Sequence, residues 1–272
     1  MNAGIHFISG LPRAGSTLLA ALLRQNPALH AGITSPVGSL VTALLRDMSQ
    51  GNETAVFIDD SQRAAVLRGV FNGYYHAIHP TRTVFDTNRG WTARIDLLAA
   101  LFPDSKIICC VRHIPWIIDS VERLIQRNLF EPSKIFSFET DGTVYSRAEG
   151  MMRDGALIGY PLAALKQAMH GAQSGRLLLL PYDVLAARPH TALDAVYAFT
   201  GLQPFRHDVD NVMFDAKEFD ARLGTPGLHD VRPRTRLEPR ETILPPDLWQ
   251  RIEAASIWRD PAFNTRNVAI VG

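Results

Sequence analysis

The stretch Ile5-His6-Phe7-Ile8-Ser9-Gly10-Leu11-Pro12-Arg13-Ala14-Gly15-Ser16-Thr17-Leu18-Leu19 constrains this chain more than any other. Ile5 to Ser9 reads as a short buried strand. Leu18, Leu19, Leu22 and Leu23 then recur at helical spacing until Asn26-Pro27 ends the pattern. A glycine-containing loop therefore joins a strand to the first turn of a helix. Free N–H groups at such a helix start point at an anion, and the helix dipole favours its charge. Gly10 and Gly15 have the spacing of the nucleoside-triphosphate loop G-x-x-x-x-G-K-[ST], but Ser16 stands where the lysine belongs. That lysine reaches the β- and γ-phosphates. Without it, and with Arg13 inside the loop, the sequence suits a shorter anion, such as a 5′-phosphate carrying one further group.

The formal net charge is +1, which carries no nucleic-acid or membrane signature, so any anion site is local. Cys109 and Cys110 are adjacent in an apolar run. They read as small core residues on opposite faces of a strand, and their number excludes a disulfide framework or a zinc site. No apolar run has the length of a membrane span, and a strand expected from Ile5 leaves no room for a cleaved signal ahead of the loop. The expectation is a cytoplasmic, reduced protein.

Taken in order, further strands are expected at 31–34, 84–87, 106–111 and 176–180. Helices are expected from Ser35-Pro36 to about Met48, from Asp59 or Asp60 through Tyr75, and over 92–101 and 191–200. Another opens at Pro115, a long one runs from a capping box at Ser146–Glu149 toward Met169, and a last one covers 246–258. Residues 129–145 read as irregular, and regularity declines from about 204. No internal repeat and no clean linker divides the chain. The expectation is one domain over 1–272, a P-loop-like three-layer α/β fold with a central, mainly parallel sheet flanked by helices. Sites in such sheets lie beyond the carboxyl ends of the strands. Arg13, Arg89, Arg112 and Tyr182 each follow a different strand there, and they predict one anion-binding cleft.

The loop Gly10-Leu11-Pro12-Arg13-Ala14-Gly15-Ser16-Thr17-Leu18 resembles the 5′-phosphosulfate-binding loop of sulfotransferases that use 3′-phosphoadenosine 5′-phosphosulfate (PAPS). The Pro-Arg form is similar to the tyrosylprotein and carbohydrate branches. A second match follows in Val111-Arg112-His113-Ile114-Pro115-Trp116-Ile117-Ile118-Asp119-Ser120, an arginine at a strand end with a serine eight residues on. In that family this pair holds the donor's 3′-phosphate. Leu101-Phe102-Pro103-Asp104-Ser105-Lys106 also resembles the tyrosylprotein branch, and the resemblance covers roughly residues 5–200 in motif order. It implies PAPS bound by Pro12 to Leu18, Arg112 and Ser120, with Tyr182 in Leu180-Pro181-Tyr182-Asp183 either near the donor or a core tyrosine at the rim. Thr225 and Gly227, in the basic, glycine-containing stretch 222–232, belong either to a lid over the donor or to a surface loop.

Sulfuryl transfer needs the donor's anions fixed, a cation where charge grows on the bridging oxygen, and a base for the acceptor's proton. Arg13 is expected to grip the 5′-phosphosulfate. Arg89, which corresponds to a lysine of the tyrosylprotein branch, is expected at the bridging oxygen, where a guanidinium stabilises charge and does not donate a proton. No metal is needed when arginines supply the charge. The branch's glutamate falls on Thr34, so the base is open: Asp86 is preferred over His30, His113 and His229. Arg232, Arg234, Arg236 and Arg240 form either a solvated face or a patch for an acidic acceptor. The acceptor, whether protein tyrosine, carbohydrate or small molecule, and the oligomeric state are not legible. Two other readings stay open, a nucleotide or small-molecule kinase and a non-catalytic nucleotide-binding protein.

Overall fold

A computed structural model describes residues 4–49, 51–78, 81–130 and 142–272. Strands β1 (Ile5–Gly10), β2 (Leu29–Ala31), β3 (Thr83–Thr87), β4 (Ile107–Val111), β5 (Leu177–Pro181) and β6 (Ala269–Ile270) form one sheet in the order β2-β3-β1-β4-β5-β6. Every pairing is parallel. β1 and β4 are buried along their whole length, as strands covered by helices on both faces must be. Their apolar runs leave little polar side chain to satisfy, and the ladder takes up the backbone groups. Cys109 and Cys110 are fully buried in β4, as expected.

The helices are α1 (Ser16–Leu23), α2 (Val37–Asp47), α3 (Asp60–Tyr74), α4 (Ile95–Leu101), α5 (Ile114–Arg127), α6 (Val144–Met152), α7 (Gly159–His170), α8 (Tyr182–Ala187), α9 (Pro189–Thr200), α10 (Lys217–Arg222) and α11 (Pro246–Glu253). Local chemistry sets many of their ends. Asp59 and Gln62 cap α3 reciprocally. Pro115 and Pro189 sit in the first turns of α5 and α9, where a missing N–H costs nothing. Gly201, at φ 70°, ends α9.

Several expectations need correction. The long helix from Ser146 toward Met169 is two helices, with Thr143 rather than Ser146 as the first N-cap. Arg153 turns extended, Gly155 adopts φ 78°, and Gly159 packs so closely that a Cβ there would lie 2.0 Å from the Arg153 carbonyl oxygen. The chain reverses where only glycine fits. β2 lies at 29–31 and not 31–34, because Leu29 pairs with Thr83 in register with β3. α8, α10 and β6 were not expected. They are six, six and two residues long, too short for a periodic signal. The last helix stops at Glu253, with a separate 3₁₀ turn at Ile257–Arg259. Most of the segment read as irregular, 131–141, lies outside the described residues. No helix among the described residues is long and apolar enough to cross a membrane.

The strand order places the site. From β1 the chain moves to one side, to β2 and β3, and then crosses back to β4 on the other. The loops after β1 and β4 therefore diverge, which opens a crevice at the carboxyl end between the two strands.

Candidate active site

That crevice is part of a cavity of about 1020 Å³, a volume at the upper end for small-molecule sites. Its floor is the β1–α1 loop. Gly10 has φ +118°, and a Cβ there would lie 2.1 Å from the Cys110 carbonyl oxygen of the neighbouring strand. Gly15 has φ +95° and packs under Tyr182, with its Cβ position 3.0 Å from Tyr182 Cδ2. The motif glycines thus serve a close approach and a left-handed turn. The first hydrogen bond of α1 runs from Leu19 N–H to the Gly15 carbonyl, 2.9 Å. The amides of Ser16, Thr17 and Leu18 precede it and have no intrahelical acceptor. All three residues line the cavity, as do Pro12, Arg13 and Gly15. Ala14 does not: its side chain is buried, and it belongs to the loop through its backbone alone.

The two sequence anchors meet directly. Arg112 Nη1 donates to the Arg13 carbonyl oxygen, 3.1 Å, and Arg13 Nε donates to Ser120 Oγ, 3.1 Å. Arg13 itself sits at φ 56°, unusual for a side chain with a Cβ. Its Nη1 donates to the Leu228 carbonyl in the C-terminal segment. Arg13 therefore points toward Ser120 and the tail rather than into the turn of its own loop. The Arg112 guanidinium stacks on the Tyr182 ring at 4.2 Å, so Tyr182 opens α8 and lines the cavity rather than packing in the core. Burial lowers the Arg112 pKa to about 10, which leaves it charged at neutral pH. Its Nε is buried without a hydrogen-bond partner, and so is Thr87 Oγ1 in the same cavity. An orphaned, buried, cationic donor is costly unless an anion completes it. The residues present fit the phosphate groups of a PAPS-like donor on that ground.

Arg89 also lines the cavity, and its guanidinium has no hydrogen-bond or ion-pair partner among the described residues. The side chain is reachable by solvent through the opening, yet the surrounding protein desolvates it and lowers its pKa. Its backbone is pinned: Ser9 Oγ on β1 donates to the Arg89 carbonyl, 3.1 Å, and accepts from Thr92 N–H, 3.3 Å. Ser9 was not singled out from the sequence. A lone serine at the end of an apolar strand was the available signal.

Asp86, the preferred base, is misplaced for that role. Its side chain is fully buried and does not line the cavity. Oδ2 accepts from Ser35 Oγ and Tyr75 Oη, each at 2.6 Å, and Oδ1 accepts from Trp91 Nε1 at 2.8 Å. Burial pushes its pKa up while the three donors oppose that shift. The carboxylate ties together the segments that carry Thr34 and Arg89, both of which line the cavity. His30 and His113 are not in the cavity wall either; they pack on Tyr75 and Trp249. His229 is in the wall.

The tail forms the opposite wall from Phe219 to Arg240. Gly227 is part of it, but Thr225 is buried and turns its amide to the Asp220 carbonyl, 3.0 Å. Thr225 is not in the cavity wall. The basic patch is internally paired. Arg232 and Arg236 meet Glu238, Arg234 meets Asp210 at 2.7 Å, and Arg240 meets the buried carboxylate of Asp119 at 2.6 Å. Arg123, another wall residue, shares Asp119 at 3.0 Å. Among the described residues, Arg13, Arg89, Arg112 and Arg127 are the wall arginines without a carboxylate partner. A phosphate monoester brings about two negative charges, and a phosphosulfate adds its own, so four cations without a carboxylate partner match one such donor. The described residues hold no cluster of three or more His, Cys, Asp or Glu suited to a metal.

Comparisons with known proteins bear on the family and the fold. Residues 6–207 match the model of the sulfotransferase family. The fold is similar to the sulfotransferase domain from the curacin biosynthetic pathway, at 18% identity and TM-score 0.53, over 95% of this chain and 91% of that one. It is also similar to a sulfotransferase from Alicyclobacillus acidocaldarius, at 16% identity and TM-score 0.53, over 97% and 96% of the two chains. Sulfotransferase STF9 from Mycobacterium avium gives 14% identity and TM-score 0.50, over 99% of this chain and 78% of that one. No match is found among curated proteins. With three quarters of its length under the family model, this chain belongs to the sulfotransferase family and is a transferase.

Proposed function

We propose that residues 1–272 act as one PAPS-dependent sulfotransferase domain that moves the sulfuryl group to a hydroxyl or amine of an acceptor. The observation that carries this is the Arg112–Arg13–Ser120 chain of contacts, which joins two separate anion-binding segments on one cavity. The amides of the α1 first turn hold the 5′-phosphosulfate. Arg112 Nε and Ser120 Oγ hold the 3′-phosphate, with Tyr182 stacked behind the guanidinium. Arg13 exchanges its present acceptors for donor oxygens. Arg89, pinned by Ser9 and otherwise free, stabilises charge on the oxygen that leaves with the 5′-phosphate. The paired tail arginines favour a solvated wall over a patch for acidic acceptors. The Pro12-Arg13 loop supports a place in the tyrosylprotein and carbohydrate branches.

Adenosine 3′,5′-bisphosphate (PAP) tests the donor assignment. At a hundredfold excess over Kd it stabilises the protein by about 2.7 kcal/mol, read as a rise in melting temperature. Magnesium ATP leaves the melting temperature unchanged. Labelled sulfuryl transfer to a panel of phenols, sugars and amines then tests turnover. Stabilisation by magnesium ATP with none by PAP would overturn the assignment in favour of a kinase.

A further inference from the structure

The base is the element the sequence left open, and the tail wall supplies a built candidate. Asp220 lies in α10 and is 2% exposed. Its carboxylate grips His229 twice: Oδ2 accepts from the His229 amide at 2.9 Å, and Oδ1 lies 2.5 Å from Nδ1. The Phe219 ring packs against the imidazole at a centroid distance of 5.5 Å. A carboxylate facing Nδ1 at that distance fixes the proton there. The lone pair of the neutral ring is then on Nε2, which has no partner among the described residues. His229 lines the same cavity as Arg13, Ser120 and Thr34. The residue before it, Leu228, accepts from Arg13.

We propose that Asp220 and His229 form the proton-accepting unit of the transfer, with His229 the catalytic residue and Asp220 its positioning residue. The assignment rests on the sulfuryl-transfer reading above. In the step, Nε2 takes the proton of the acceptor O–H or N–H while that acceptor atom bonds to sulfur. The bond from sulfur to the 5′-phosphate oxygen breaks, and its electron pair stays on PAP. The imidazolium later gives its proton to solvent. Of the four candidates raised by the sequence, His229 alone lines the cavity. Asp230 and Glu238 are the carboxylates in the wall, and Glu238 is held by Arg232 and Arg236. Asp230 is therefore the rival.

The experiment uses the full chain, labelled PAPS, and the phenol, sugar and amine panel together, with PAP release counting transfer to any acceptor, water included. His229→Gln is expected to lower kcat by about 10²–10⁴-fold, with PAP affinity and the KM for PAPS within about threefold of wild type. Asp220→Asn is expected to lower kcat at least about tenfold, again without a matching change in KM. His229→Gly is expected to regain rate in added imidazole, which a purely structural role would not produce. Unchanged kcat in His229→Gln overturns the assignment, as does absent imidazole rescue, or a loss that falls on Asp230→Asn instead. These results leave the donor reading intact. A wild-type enzyme that neither binds PAP nor releases it from PAPS overturns that reading and this one together.

Discussion

Replacing Asp86 by asparagine separates a scaffold from a base at one position. Three donors converge on its two oxygens: Ser35 and Tyr75 on one, Trp91 on the other. An amide keeps one acceptor oxygen. Turned to satisfy Ser35 and Tyr75, it places its NH2 against the Trp91 N–H and leaves that buried donor unpaired, at about 1–3 kcal/mol. The two retained bonds fall from charge-assisted to neutral, a further loss of about 1 kcal/mol each. Removing a buried charge offsets part of this, because burial already pushes the Asp86 carboxyl up. The net expectation is a loss of about 2–4 kcal/mol. Guanidinium unfolding followed by tryptophan fluorescence reads it, since Trp91 is fully buried beside the network. Tyr75→Phe removes one donor and spares the others, so it should cost less than half as much. The Tyr75 phenol is itself pushed up by burial and remains a donor at any working pH. Below its unfolding transition, Asp86→Asn should keep measurable transfer, with the change concentrated in the cavity segments around Thr34 and Arg89. A variant as stable as wild type but inactive by orders of magnitude would refute the scaffold reasoning.

Three further outcomes follow from other contacts. Arg112→Gln should weaken PAP binding by about 10–100-fold, measured by calorimetry, because a hydrogen bond to a charged group is worth about 1.5–3 kcal/mol. Gly15→Ala forces a Cβ into a left-handed turn 3.0 Å from Tyr182; it should cost at least about 1–2 kcal/mol of stability and displace the ring on which Arg112 stacks. His6 is 6% exposed, and its Nδ1 accepts the Lys106 amide at 3.2 Å. Burial, with a smaller push from Lys106, lowers its pKa to about 4. The folded pKa lies below the unfolded value, so the unfolded chain takes the proton first. Stability from this group is complete above about pH 6.5 and drains away as pH falls toward 4, by about 3 kcal/mol in all. Unfolding free energies at pH 7.5 and 4.5, compared between wild type and His6→Gln, should show about 2.5 kcal/mol of that loss, and equal pH slopes would discount it.

The amino-acid sequence by itself determined four of the six strands, their mainly parallel arrangement and the anion loop. These depend on local patterns: four-to-six-residue apolar runs and a glycine at each end of the loop. The same patterns put Arg13, Arg89, Arg112 and Tyr182 on one sheet edge, because strand direction alone decides which loops share an end. Tertiary structure decided what those residues do to one another. Whether Asp86 meets solvent or three donors depends on Ser35, Tyr75 and Trp91, which come from three separate segments. Whether the tail arginines are free depends on Asp119, Asp210 and Glu238. Whether His229 reaches the cavity depends on a six-residue helix too short to announce itself. A hydrogen bond between residues far apart in the chain leaves no periodic trace in it, so burial and partnership, which set the chemistry of each group, appear only once the chain has folded.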